Sequence, residues 1–137
     1  MNPMTTRSTG LTRDAGWEVG VSRTLPQSPA AVWEFISGPR GLELWLGAGA
    51  RLTPERGASY ETAAGATGEV RGYRPGDRIR VTYGDTTVQV AVSAAGGGRS
   101  VLVFHQERMA GPEERERQRA HWRRVIKQVA EALDRRG

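Results

Sequence analysis

Apolar residues repeat along the chain with two different periods. Trp122, Val125, Ile126, Val129, Ala130 and Leu133 recur at three- and four-residue spacing, the repeat of one face of an α-helix. This predicts a long terminal helix over 112–134. Pro112 suits the first helical turn, where its missing N–H has no partner to lose, and Glu113, Glu114 and Glu116 lie beside the positive end of the helix dipole. The apolar stripe begins only at Trp122. Before it, the same face carries Arg115, Gln118 and Arg119, so the helix is expected to pack at its C-terminal half and to overhang a wetter space at its start.

From Gly57 to Glu107 the period is two. Ala58 and Tyr60 open the alternation, and a strand is expected at about 67–73. Ile79, Val81 and Tyr83 alternate with Arg78, Arg80 and Thr82, and Val88, Val90 and Val92 with Gln89, Ala91 and Ser93; a last strand covers 100–106. Arg74-Pro75-Gly76-Asp77, Gly84-Asp85 and Gly96-Gly97-Gly98 form the turns. Short turns between alternating strands predict an antiparallel meander with one buried face. Upstream, Trp17, Val19 and Val21 alternate with Glu18, Gly20 and Ser22 in a first strand ending at Leu25-Pro26. Ser28 then caps a helix begun by Pro29, with Val32, Phe35 and Ile36 along one face, and Gly41–Leu46 forms a second short helix.

The expected fold class is α+β: a curved antiparallel sheet of about six strands around the long C-terminal helix, with two short helices after the first strand. Residues 16–137 are read as a single domain, preceded by a polar, aperiodic segment, 1–15, expected to be disordered.

Composition narrows the function classes. The 137 residues suffice for one domain with its own core. Cysteine is absent, which removes disulfides and thiolate chemistry. No signal-peptide core or membrane-length apolar run is present, so a cytoplasmic protein without membrane insertion is expected. The formal charge of +5 and pI near 10.6 raise nucleic acid as a partner. However, acids and arginines alternate through 113–119, as on a solvated helix face, and nucleic acid is not the expected partner. Of the basic residues only Lys127 is lysine, a bias in keeping with a GC-rich bacterial genome.

The order of elements resembles the helix-grip superfamily (SRPBCC, START-like or Bet v 1-like), which includes START lipid-binding domains, polyketide cyclases and birch-pollen-type allergens. It is most similar to the branch of homologues of the activator of the heat-shock-protein-90 ATPase. The resemblance runs over residues 17–134. Its motifs are Leu25-Pro26-Gln27-Ser28-Pro29-Ala30-Ala31-Val32-Trp33, Leu44-Trp45-Leu46-Gly47, Gly68-Glu69-Val70, Arg74-Pro75-Gly76-Asp77-Arg78-Ile79 and Ala120-His121-Trp122. It implies a pocket for a small apolar molecule between sheet and terminal helix. The co-chaperone role belongs to larger proteins with a further domain, for which this chain has no room. The architecture, rather than that role, is the expectation carried over.

Strand parity then nominates a lining. With Val81, Val90 and Val103 facing inward, Ile79, Tyr83, Val88, Val92, Val101 and His105 share their face. Trp45, Tyr60 and Trp122 are the large groups expected to line or close the space, and Gln118 and Arg119, with Arg115, lie at its mouth. His105 is the one weak catalytic candidate, set against a plain structural role hydrogen-bonded to the backbone or to Glu107. Leu102 and Phe104 have the opposite parity, which predicts an outer face that packs on a second subunit or on the N-terminal segment. Two histidines and no cysteine argue against a dedicated zinc site. No metal or cofactor is expected, and neither a hydrolase elbow nor a phosphate-binding loop is present. The leading expectation is non-catalytic binding of a hydrophobic or amphipathic ligand such as a lipid, a polyketide or an aromatic metabolite. The alternatives are a polyketide cyclase or dehydratase using His105 with Tyr60 or Tyr83, and a chaperone-activator-like interaction module.

Overall fold

The computed structural model describes residues 11–12 and 16–136. The elements are β1 (Leu11–Thr12), β2 (Gly16–Leu25), α1 (Pro29–Ser37), α2 (Pro39–Trp45), β3 (Ser59–Glu61), β4 (Thr67–Arg74), β5 (Arg78–Tyr83), β6 (Thr86–Gly96), β7 (Arg99–Met109) and α3 (Pro112–Arg136). The strands form one antiparallel sheet in the order β1-β2-β7-β6-β5-β4-β3. This is the expected α+β helix-grip arrangement. Two-residue β1 extends the edge beyond β2, and the rest of the 1–15 segment lies outside the described residues.

Local chemistry sets the helices. Ser28 Oγ accepts from the Ala31 N–H at 3.2 Å, capping α1. The α1–α2 corner is tight: a Cβ at Gly41 would lie 2.0 Å from the Phe35 carbonyl oxygen, so only glycine permits this approach. Helix α3 buries Trp122, Val125, Ile126, Val129, Ala130, Ala132 and Leu133, while Glu114, Arg115, Gln118 and Arg119 in its first half are only half-buried.

The core lies between the inner face of the sheet and the three helices. Ile79, Val81, Val88, Val90 and Val92 are buried there, opposite Leu102, Phe104 and Gln106 of β7. The β7 assignment inverts the expected parity. Across the Gly97-Gly98 turn, Gly96 pairs with Arg99; continued unchanged, that register would set Val92 against Val103 and Val90 against His105. The register shifts between Ala94 and Gly96, and Val92 instead pairs with Leu102 and Val90 with Phe104. One extra residue, Ala95, forms a β-bulge, and a one-residue slip exchanges the two faces of a strand.

Two expectations fall with it. Val103 and His105 are half-buried on the outer face rather than inside. Leu102 and Phe104, expected to offer an outer contact to a second subunit, are fully buried in the core.

Candidate functional site: a polar cleft under the start of the long helix

The interior expected to hold a cavity is occupied by aromatic rings. Phe104 stacks on Trp122 with centroids 4.9 Å apart and planes 13° from parallel, and Trp45 approaches Phe104 at 6.3 Å. Both indoles are anchored, Trp45 Nε1 donating to the Ile36 carbonyl at 2.9 Å and Trp122 Nε1 to Gln106 Oε1 at 2.8 Å. Tyr60 is also a core residue. Its ring lies where a Cβ at Gly68 would come within 2.5 Å, and its hydroxyl donates to the Thr82 carbonyl at 2.5 Å. Burial, and secondarily the neighbouring Tyr83, push its pKa up to about 12. Val81 and Val90 pack with these groups and are fully buried.

The opening lies one turn of α3 earlier. A cleft of ≈ 270 Å³ sits between the β5–β6 turn, the end of β7 and the start of α3. Tyr83, Gly84, Asp85 and Thr86 form one wall, Gln106, Arg108 and Ala110 another, and Glu114 and Gln118 the third. At its base Gln106, 2% exposed, joins the walls. Its Oε1 accepts from Trp122 Nε1 and, at 2.9 Å, from Gln118 Nε2, while its Nε2 donates at 2.9 Å to Thr86 Oγ1, which donates in turn to the Tyr83 carbonyl at 2.6 Å. Each group in the chain has a partner, as burial requires. One Gln106 N–H, one Gln118 N–H and Gln118 Oε1 make no hydrogen bond within the described residues.

Of the nominated residues, the structure brings Tyr83 and Gln118 to this cleft, with Trp122 directly behind it through Gln106. Trp45, Tyr60, Val81 and Val90 face the same interior but are packed into it. Arg119 is half-buried on α3, outside the cleft lining. Arg115 is engaged elsewhere, donating to the Glu18 carbonyl at 2.6 Å and pairing with Glu116 at 2.7 Å. His105 is separated from both tyrosines by the sheet itself, its Nε2 3.5 Å from Glu18 Oε1 on the outer face. The base invoked for cyclase chemistry therefore does not face the interior. Gln106 and Thr86 escaped the sequence reading, and the signal for Gln106 was the bulge: once Phe104 turns inward, the residue two further along follows it.

Among the described residues no helix is long and apolar enough to cross a membrane.

The profile of the family described as Activator of Hsp90 ATPase homolog 1-like protein matches residues 26–134. No curated protein matches the chain. Among solved structures, protein MLL2253 from Mesorhizobium loti is 19% identical, with TM-score 0.69 over 86% of this chain and 97% of its own. DynU16, a protein of the dynemicin biosynthetic locus, is 21% identical, with TM-score 0.70 over 85% of this chain and 47% of its own. The Aha1 dimer from Colwellia psychrerythraea is 11% identical, with TM-score 0.69 over 85% of this chain and 95% of its own. These likenesses establish the fold.

Proposed function

The chain belongs to the family of Activator of Hsp90 ATPase homolog 1-like proteins, and from that premise we propose that it binds a small amphipathic molecule in the cleft beneath the first turns of α3. The observation that carries this reading is Gln106, a buried amide on the core side of the cleft, held by Trp122 and Gln118 with donor capacity left over. A ligand carbonyl or hydroxyl would meet the Gln106 and Gln118 amides, and its apolar part would lie against the Tyr83 ring at the rim, which is 38% exposed. Small-molecule sites combine apolar walls with a few placed polar groups and span roughly 300–1,000 Å³; here Asp85, Arg108 and Glu114 make the walls more polar, which suits an amphipathic ligand. At ≈ 270 Å³ the cleft falls just below that range, which favours a compact metabolite over a long-chain lipid. That DynU16, of similar fold, comes from the dynemicin biosynthetic locus supports this reading.

The test is native mass spectrometry of freshly purified protein, repeated after denaturation. A stoichiometric small molecule released on unfolding, and lost from a Gln118→Leu variant of unchanged stability, is the expected result. Retention of the adduct in that variant would remove the cleft from consideration.

A second reading, an interaction module acting through its outer surface, draws support from the closely packed Trp45, Phe104 and Trp122. It expects a clean apo mass and a protein partner.

A further inference from the structure

The outer face of β7, opposite the cleft, gathers the ligand atoms of a metal site. Glu18, His105 and Glu107 each present one such atom, all within 4.8 Å of one another. His105 and Glu107 are two residues apart on one strand and so share a face. Glu18 reaches them from β2: the register that pairs Gly20 with His105 and Val19 with Gln106 brings it to Glu107, and an irregularity follows at that point. Trp17 pairs with Met109 but Val19 with Gln106, so that Glu107 and Arg108 together oppose the single residue Glu18. Arg108 accepts a φ of 69° there, uncommon for a residue with a side chain. The two carboxylates and the imidazole lie on one half-buried patch, with the bulge at its edge.

Two of the three ligands are also held from behind. The Glu18 backbone is fixed through its carbonyl by Arg115 Nε at 2.6 Å. Arg80 Nη2 donates to Glu107 Oε1, leaving Oε2 for a second bond. Such outer partners orient metal-binding carboxylates. His105 lies beside Gly20, its partner on β2, where no side chain crowds the imidazole.

We propose that Glu18, His105 and Glu107 form a binding site for a divalent first-row transition ion of the Zn²⁺ class, with the remaining positions open to water. Mixed imidazole and carboxylate donors suit such ions better than Ca²⁺ or Mg²⁺, which take oxygen. Bonds of about 2.0–2.1 Å in a tetrahedral site separate ligand atoms by roughly 3.3 Å. The 3.5 Å between His105 Nε2 and Glu18 Oε1 is already near that, and side-chain rotation of Glu107 supplies the rest. Counting histidines alone argued against zinc; of the carboxylates that complete the set, Glu107 shares β7 with His105 and Glu18 comes from β2.

The experiment is calorimetric titration of untagged, full-length protein with ZnCl₂, paired with the visible spectrum of added Co²⁺. One saturable ion per chain is expected, with tetrahedral Co²⁺ bands, and binding weakened at least about tenfold in both His105→Gln and Glu18→Gln. His121→Ala, at the other histidine, should bind as the wild type does. Circular dichroism checks that each variant is folded; these side chains are partly solvent-exposed, so folding is not expected to depend on them. Unsaturable binding, binding unchanged in His105→Gln, or binding lost only in His121→Ala would each overturn the assignment.

Discussion

Trp122 and Gln106 face each other across the junction of helix and sheet, the indole N–H 2.8 Å from the amide oxygen, and the same oxygen receives the Gln118 amide. The core and the cleft are thus joined at a single atom. Replacing Gln106 with Ala leaves the buried Trp122 N–H without an acceptor, at a cost of about 1–3 kcal/mol for that group alone. In urea denaturation, Gln106→Ala is expected to lose at least that much stability. A cycle with Trp122→Phe, which removes the donor, should show strong coupling. Independent, additive losses would mean the hydrogen bond contributes nothing.

Tyr60 makes an alkaline prediction. Its folded-state pKa is raised from 10.0 to about 12. Between those values the unfolded chain releases a proton that the folded chain keeps, so folding stability falls as pH rises through that window. Tyr60→Phe removes this loss, at the expense of about 1 kcal/mol at neutral pH for the bond to the Thr82 carbonyl. Denaturation midpoints measured from pH 7 to 11 should converge between the two proteins. Parallel curves would show that Tyr60 titrates normally.

His121 acts at the acid end. Burial, and then the charge of Arg124, lower its pKa below 6.5 in the folded state. The unfolded chain therefore binds the proton first on acidification, and stability declines as pH falls through 6.5 until the folded-state value is passed. His121→Gln should flatten that part of the stability curve. A slope identical to wild type between pH 7 and 5 would assign the acid sensitivity to other groups.

Much of the architecture was legible because it depends on periodicity. The helix-forming stripe from Trp122 to Leu133 and the alternation in 78–92 each bury one face. The inner placement of Tyr60 and Trp122 follows from the same signal, whereas Trp45 was nominated for its bulk. What periodicity left open was the phase of β7, whose residues are apolar at Val101 and Val103 as well as at Leu102 and Phe104. Either phase satisfies the pattern, and a single inserted residue in the preceding hairpin decides between them. With that phase went Gln106, Val103 and His105 together. The density of the interior was illegible for a different reason: whether Trp122 lies on Phe104 or swings aside is a matter of rotamers, which spacing does not encode.

Ala95 can therefore be tested as the residue that sets the phase. It is the extra residue between the Ala94–Ser100 and Gly96–Arg99 pairs. Deleting it would carry the turn register into the sheet, turning Val101, Val103 and His105 inward and forcing Leu102, Phe104 and Gln106 toward solvent. Burying His105 and losing Phe104 from its stack on Trp122 would be incompatible with this core, so the deletion variant is expected to lose cooperative unfolding and near-ultraviolet aromatic dichroism. Ala95→Ser keeps the residue count, and this half-buried position tolerates a small polar side chain, so its stability should stay within about 0.5 kcal/mol of wild type. A deletion variant that keeps wild-type dichroism and a sharp transition would show that the hairpin absorbs the lost residue in its glycine turn, and that the phase of β7 is set instead by the fit of Phe104 against Trp122.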